Sequence, residues 1–204
     1  MLQTSQQDER IPLNRERIVD AALALLDEVG LDKLSTRRLA DQLGIRNASL
    51  YWHFRNKDAL LDAMTASLYK SAVPEPDVDN PDFDWVEWAA ESARSIRRTA
   101  LAKRDGATIM ARPRPVEPEM HRKIERNIFV LEDAGLSRMD AESALQTLRR
   151  FAVGSALQEQ TSVDDRRGGD ARTGDGLFEF GLSLITDSLR RIVPDGAAGR
   201  LPES

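Results

Sequence analysis

Cysteine is absent from the 204 residues of this chain, which removes disulfides, thiolate metal sites and cysteine nucleophiles together. Histidine is almost as scarce, with only His53 and His121. Carboxylates are plentiful, yet their spacing puts them on solvent faces and not in groups with metal-ligand spacing. Strand-like alternation is missing throughout, so the glycine-rich run GGDARTGDG follows no strand and reads as a link, not a phosphate loop. With no nucleophile, acid–base pair or metal centre in prospect, the sequence argues against an enzyme. No stretch approaches the run of about 18 apolar residues that a membrane span needs. The opening MLQTSQQDER also lacks the apolar core of a signal peptide. A cytoplasmic protein without a membrane span is the expectation.

What remains is an ordinary globular composition, 41% hydrophobic and 31% charged, arranged with helical periodicity. In the first helix, expected over 15–29, Ile18, Ala21, Ala22, Leu25, Leu26 and Val29 form one apolar stripe, with Asn14 as cap and Gly30 as stop. The net charge of −5 is unevenly spread. Residues 10–57 hold nine basic and six acidic side chains, a net of +3, which leaves −8 for the remainder. A basic head on an acidic body is the footprint of a nucleic-acid reader.

The stretch LSTRRLADQLGIRNASLYWHFRN, residues 34–56, carries the head's chemistry. Ser35 caps a short helix, Leu34 and Leu39 staple it, and Gly44 suits the left-handed residue that ends it. Asn47 is expected to cap the next helix, in which Leu50 and Phe54 face inward. Asn47, Ser49, Tyr51, Trp52, His53 and Arg55 are then turned outward or sideways, an unusual cluster for a merely solvated helix. A helix-turn-helix places its second helix in the major groove of DNA. Asn and Ser can bond base edges there, while Tyr, His and Lys reach phosphates. Thr36 and Arg37 stand in the first turn of the preceding helix, a place suited to phosphate. The alternative from spacing alone is a three-helix core whose aromatics pack on the next domain.

With LSTRRLADQLGIRNASLYWHFRNKDALLDAM written out, the chain resembles the TetR family of transcriptional repressors, the tetracycline-repressor subgroup in particular. The resemblance covers residues 13–70 most clearly and implies an all-α fold. It implies a helix-turn-helix DNA-binding domain over 13–72 and a ligand-binding, dimerisation domain over 73–204. By the same resemblance Arg37 reaches a guanine and Lys57 approaches a phosphate. Asn47, Ala48 and Ser49 stand where the subgroup has Gln, Pro and Thr, so an operator other than the tetracycline operator is expected. The double-stranded palindromic operator would be bound by a homodimer formed through the helices around Leu145 and Leu184. From the residue pattern alone, those two helices fit ordinary intrachain packing equally well.

The fourth helix, from Lys57 to about residue 71, precedes VPEPDVDNPD, whose three prolines and three aspartates end it and mark the boundary between parts. Beyond that, helices are expected over 83–102, 105–111, 117–134, from Ser137 or Asp140 to about 160, and over 177–192. The segment KRDGATIMARPRP, residues 103–115, resembles the subgroup's ligand gate. In the subgroup a histidine here and a glutamate in a later helix help to hold a magnesium–tetracycline complex. The matching residues are Met110 and Gln158, neither a good ligand for a hard cation. Ser92 and Ile96 likewise replace ring contacts. The expectation is therefore a small organic effector, bound with no metal or cofactor, among Val73, Ser92, Ile96, Met110, Arg114, Asn127 and Gln158. Ligand-promoted activation and a head that binds protein instead of DNA remain alternatives.

Overall fold

A computed structural model describes residues 13–113, 118–161 and 174–193. Most of the glycine-rich link and the effector candidate Arg114 lie outside the described residues. Within them are nine helices and no strand: α1 (Arg15–Val29), α2 (Thr36–Leu43), α3 (Asn47–Tyr51), α4 (Lys57–Ala72), α5 (Trp85–Leu101), α6 (Gly106–Met110), α7 (Pro118–Asp133), α8 (Arg138–Thr161) and α9 (Gly174–Ile192). None of these is long and apolar enough to cross a membrane.

The helix starts follow the capping chemistry of the sequence. Asn14 accepts from the Arg17 amide at 2.8 Å, Ser35 from the Arg38 amide at 3.3 Å, and Asn56 from the Ala59 amide at 2.8 Å. Asp84 accepts from the amides of Val86 and Glu87, so α5 begins at Trp85 and not at Phe83. At α8 it is Ser137 that caps, accepting from the Asp140 amide while its hydroxyl donates to the Asp140 carboxylate at 2.6 Å. Gly44, at φ 64°, closes α2 in the left-handed region and lets the Ile45 amide bond the Ala40 carbonyl.

One expected cap is corrected. Asn47 is the first residue of α3, not its cap. Arg46 holds the cap position without a side-chain hydrogen bond, and the Asn47 Oδ1 is buried with no partner. α3 is a single short turn, closed by the amides of His53 and Phe54 folding back on the Leu50 carbonyl.

The apolar faces of α1, α2 and α3 meet around Ile18, Leu26, Leu39 and Leu50, and α4 continues that core into the body through Leu60, Met64 and Leu68. Two polar links bind α4 to α6. The buried Thr65 hydroxyl bonds the Leu61 and Ile109 carbonyls (2.9 and 3.1 Å), and the Tyr69 hydroxyl donates to the Met110 carbonyl at 2.8 Å. A second clamp joins head and body at the α5–α6 corner. Asp105 accepts from the Leu31 amide at 2.8 Å; Asp27 accepts from the Lys103 ammonium at 2.6 Å and the Arg104 amide at 2.9 Å.

In the body, α5 packs along α8 and is flanked by α4, α6 and α9. Arg97, buried on α5, pairs with Glu159 at 2.6 Å and Asp175 at 2.7 Å and lies over the Phe178 ring. It thereby ties the end of α8 to the start of α9. Gln160 fastens the α5–α6 corner, donating to the carbonyls of Ala100 and Lys103 and accepting from the Ala107 amide.

Candidate functional site

The head's outer edge is built by α2 and α3, which pack against each other across the Gly44 turn. Arg37 and Ala48 are exposed, whereas Thr36, Asn47, Ser49 and His53 are half-buried. Tyr51 and Trp52 are exposed as well, at 53% and 91%. An indole that exposed gains nothing from the core, so its place at the rim of α3 suits contact with another molecule. Lys57 sits differently from the other eight: it is half-buried and its ammonium donates to the Leu31 carbonyl at 3.4 Å. A residue that spacing did not single out, Arg15, fixes the C-terminal side of α3. It donates to the His53 carbonyl at 2.6 Å, with its guanidinium 4.3 Å from the Phe54 ring centroid.

The body holds a cavity of about 200 Å³ between α5, α7 and α8. Its apolar wall is Trp88, Ile96, Ile124, Ile128, Leu145 and Leu148. Ser92, Asn127, Gln146 and Arg149 supply polar atoms, and Glu125 and Glu142 stand on the wall as well. A small apolar pocket with few polar groups is the usual form of a site for an organic ligand. The Ser92 hydroxyl is occupied by the Trp88 carbonyl at 2.9 Å, and the Trp88 indole N–H donates to the Pro74 carbonyl at 3.1 Å. Arg138 holds both Glu125 oxygens at 2.7 Å and meets Glu142 at 3.2 Å. Its hydrogen bond keeps the Glu125 carboxyl below the usual carboxylate range.

Of the expected effector contacts, Val73, Ser92, Ile96 and Asn127 line this cavity. Met110 does not: it is fully buried in α6, away from the wall. Gln158 is exposed on α8 and also lies off the wall. Those are the two positions matched to metal coordination, and among the described residues no three His, Asp or Glu side chains are placed to hold a metal ion. Arg149 and Trp88 were not singled out beforehand. Arg149 was detectable as a charge set into an apolar stripe, four residues after Leu145 and three before Ala152.

A larger open groove, about 770 Å³, runs between α1, α4 and α7. Its walls are charged and largely paired with each other, as in Lys70–Glu119 at 3.0 Å and Lys123–Glu75 at 3.3 Å. It offers an apolar ligand less than the smaller cavity does.

On the far side of the body, Leu177, Phe180 and Leu184 are 58%, 51% and 55% exposed. Their spacing puts them on one face of α9. Beside them on α8, Gly154 is exposed and has open space where a Cβ would point.

Comparison with known proteins gives two family matches. Residues 18–64 match the family described as bacterial regulatory proteins, tetR family. Residues 75–174 match the tetracyclin repressor-like C-terminal domain. A curated relative, the tetracycline repressor protein class A from transposon 1721 of Escherichia coli, is 40% identical over 92% of this chain and 96% of its own length. Among solved structures, TetR(class A) in complex with 5a,6-anhydrotetracycline and magnesium superposes with a TM-score of 0.72. It is 42% identical, covering 88% of this chain and 99% of that one. Apo ActR from Streptomyces coelicolor gives a TM-score of 0.76 at 32% identity, covering 88% of this chain and 95% of that one.

Proposed function

The chain belongs to the TetR family of bacterial transcriptional regulators, and on that premise we propose that it is a dimeric repressor released from a palindromic operator by a small organic effector. It is a DNA-binding regulator by family; the dimer, the palindrome, the direction of the response and a cytoplasmic location are this reading's own additions. The observation that carries it is the continuity of α4. One helix forms part of the head's core and, through Thr65 and Tyr69, is hydrogen-bonded to α6 in the body. A ligand that favours one setting of the body therefore biases the setting of the head, provided its affinity differs between the two.

The contacts expected on DNA are Thr36, Arg37, Asn47, Ala48, Ser49, Tyr51, Trp52 and His53, with Lys57 turning from the Leu31 carbonyl to a phosphate when the operator is bound. The apolar stripe on α9 and the open space at Gly154 support pairing of two copies through α8 and α9, since an uncovered stripe of this kind marks an interaction face. Two heads then meet successive major-groove faces of a palindrome. The substitutions at Asn47, Ala48 and Ser49 favour an operator of its own.

Selection of bound sequences from a random DNA pool tests the reading. One palindrome should enrich, with affinity falling steeply as salt rises; neutralising about six phosphates gives a log–log slope near −5. A head that binds protein instead would enrich nothing at low salt, even after the protein has been unfolded and refolded free of ligand. Met110 and Gln158, the positions matched to metal coordination, both lie off the wall of the effector cavity and bring it no ligand for a metal. Calorimetry with magnesium and tetracycline should show no metal-dependent heat, and a micromolar metal-dependent response would remove that part.

A further inference from the structure

Resting on the reading of the α5–α7–α8 cavity as the effector site, we propose that the effector is an organic carboxylate on a small apolar ring system, its charge taken up by Arg149. Arg149 lines the cavity from α8 and is half-buried. Its Nε is closed off from solvent and has no partner. Its NH1 donates to the Tyr69 hydroxyl at 3.2 Å, and the guanidinium lies 6.0 Å from that ring's centroid. A hydroxyl and an aromatic face do not neutralise a charge drawn out of water.

A more deeply buried arginine is treated in the opposite way. Arg97, in the interior where Arg149 is only half-buried, has two carboxylates within 2.7 Å. For Arg149 no carboxylate is supplied among the described residues, although two stand on the same wall. Glu125 and Glu142 are both held by Arg138. Arg149 is thus the cation on this wall with no carboxylate within ion-pair distance among the described residues, and it stands beside Trp88, Ile96, Leu145 and Leu148. The Asn127 Oδ1, buried and unpartnered on the same wall, adds an acceptor for a hydroxyl or N–H on the ligand. A carboxylate satisfies the guanidinium with paired charge-assisted hydrogen bonds that a neutral group cannot match.

The same arginine connects the ligand's charge to the head. Arg149 bonds the Tyr69 hydroxyl, and that hydroxyl donates to the Met110 carbonyl of α6. A carboxylate at Arg149 competes with Tyr69 for the guanidinium and so loosens the hold of α8 on α4. An uncharged molecule filling the apolar part leaves that hold in place.

The test is calorimetry and thermal shift on the full chain with matched pairs of probes: benzoate, 2-naphthoate and 2-anthroate against their primary amides. At least one acid is expected to bind tenfold or more tightly than its amide. Arg149→Met should erase that preference while leaving amide affinity within twofold, and Arg149→Lys should retain part of it. Equal affinities across every pair, no binding of any acid at millimolar concentration, or a preference that survives Arg149→Met would each overturn the inference. The acid–amide comparison on the unaltered protein stands even if a variant fails to fold. Release of the selected operator is read in parallel. An acid held at Arg149 that leaves DNA bound keeps this inference and removes the effector reading. Release by an uncharged compound in the same cavity does the reverse.

Discussion

Arg37 and Asn47 stand on the head's reading edge and should answer substitution in opposite ways when free of DNA. Arg37 is exposed on the first turn of α2, so Arg37→Ala removes no buried contact. Its melting temperature should be unchanged while operator affinity drops by about 1–3 kcal/mol, read by gel shift on the selected site. Asn47 has a buried oxygen without a partner, a cost the free protein bears and a base edge could relieve. Asn47→Ala should therefore melt at the same or a higher temperature and still bind the operator less well. A loss of stability in that variant would mean that the amide is satisfied in solution and is not held for DNA. The capping role that spacing suggests for Asn47 fails because Arg46 enters α3 in the extended region one residue earlier. Asn14 and Ser35 were legible as caps because each is followed by an uninterrupted helical stripe. α3 is five residues long and leaves no such stripe to read.

At the scale of the helix, the clearest test is the α4–α6 link. Tyr69→Phe deletes the donor to the Met110 carbonyl and the acceptor for Arg149 together, and it leaves the carbonyl buried. About 1–3 kcal/mol of stability should be lost in a urea titration, and operator affinity should already be reduced without ligand, because the hold of α8 on α4 through Arg149 is gone. The α5 cap offers a pH test. Burial pushes the Asp84 carboxyl up, but the Arg190 guanidinium and the amides of Glu87 and Val86 together hold it below its ordinary value. A depressed carboxyl stabilises above its unfolded value and loses that contribution as pH falls through its folded one. Asp84→Asn should thus lower the melting temperature at neutral pH and match the parent protein in acid. The helices themselves were legible because 3.6-residue periodicity is local. The effector candidates Ser92, Ile96, Met110 and Gln158 all came from positions matched to the tetracycline-repressor subgroup. Ser92 and Ile96, four apart on one face of the long α5, reach the cavity wall, and the other two do not. The short α6 turns Met110 into the core, and the α8 register puts Gln158 four residues beyond Gly154, on the exposed side.

For the whole molecule, charge and association are linked. The net charge of −5 resists approach to DNA at long range, and a head carrying +3 over 10–57 must overcome it at the surface. A single head of this size makes too few contacts for tight specific binding; two on one rigid body do not. The exposed Leu177, Phe180 and Leu184 are the face through which that body would form. Leu184→Glu places a charge in the middle of the stripe at a position already exposed in one copy, so the isolated fold loses almost nothing. Sedimentation should then fall from twice 22.8 kDa to 22.8 kDa, with the circular dichroism spectrum unchanged. Affinity for the full palindrome should drop by a hundredfold or more, and its salt slope should fall to about half, because only one set of phosphates is neutralised. If Leu184→Glu still sediments as a dimer, association uses another face. If it is monomeric yet binds the palindrome as before, a single head suffices and the two-fold reading is wrong.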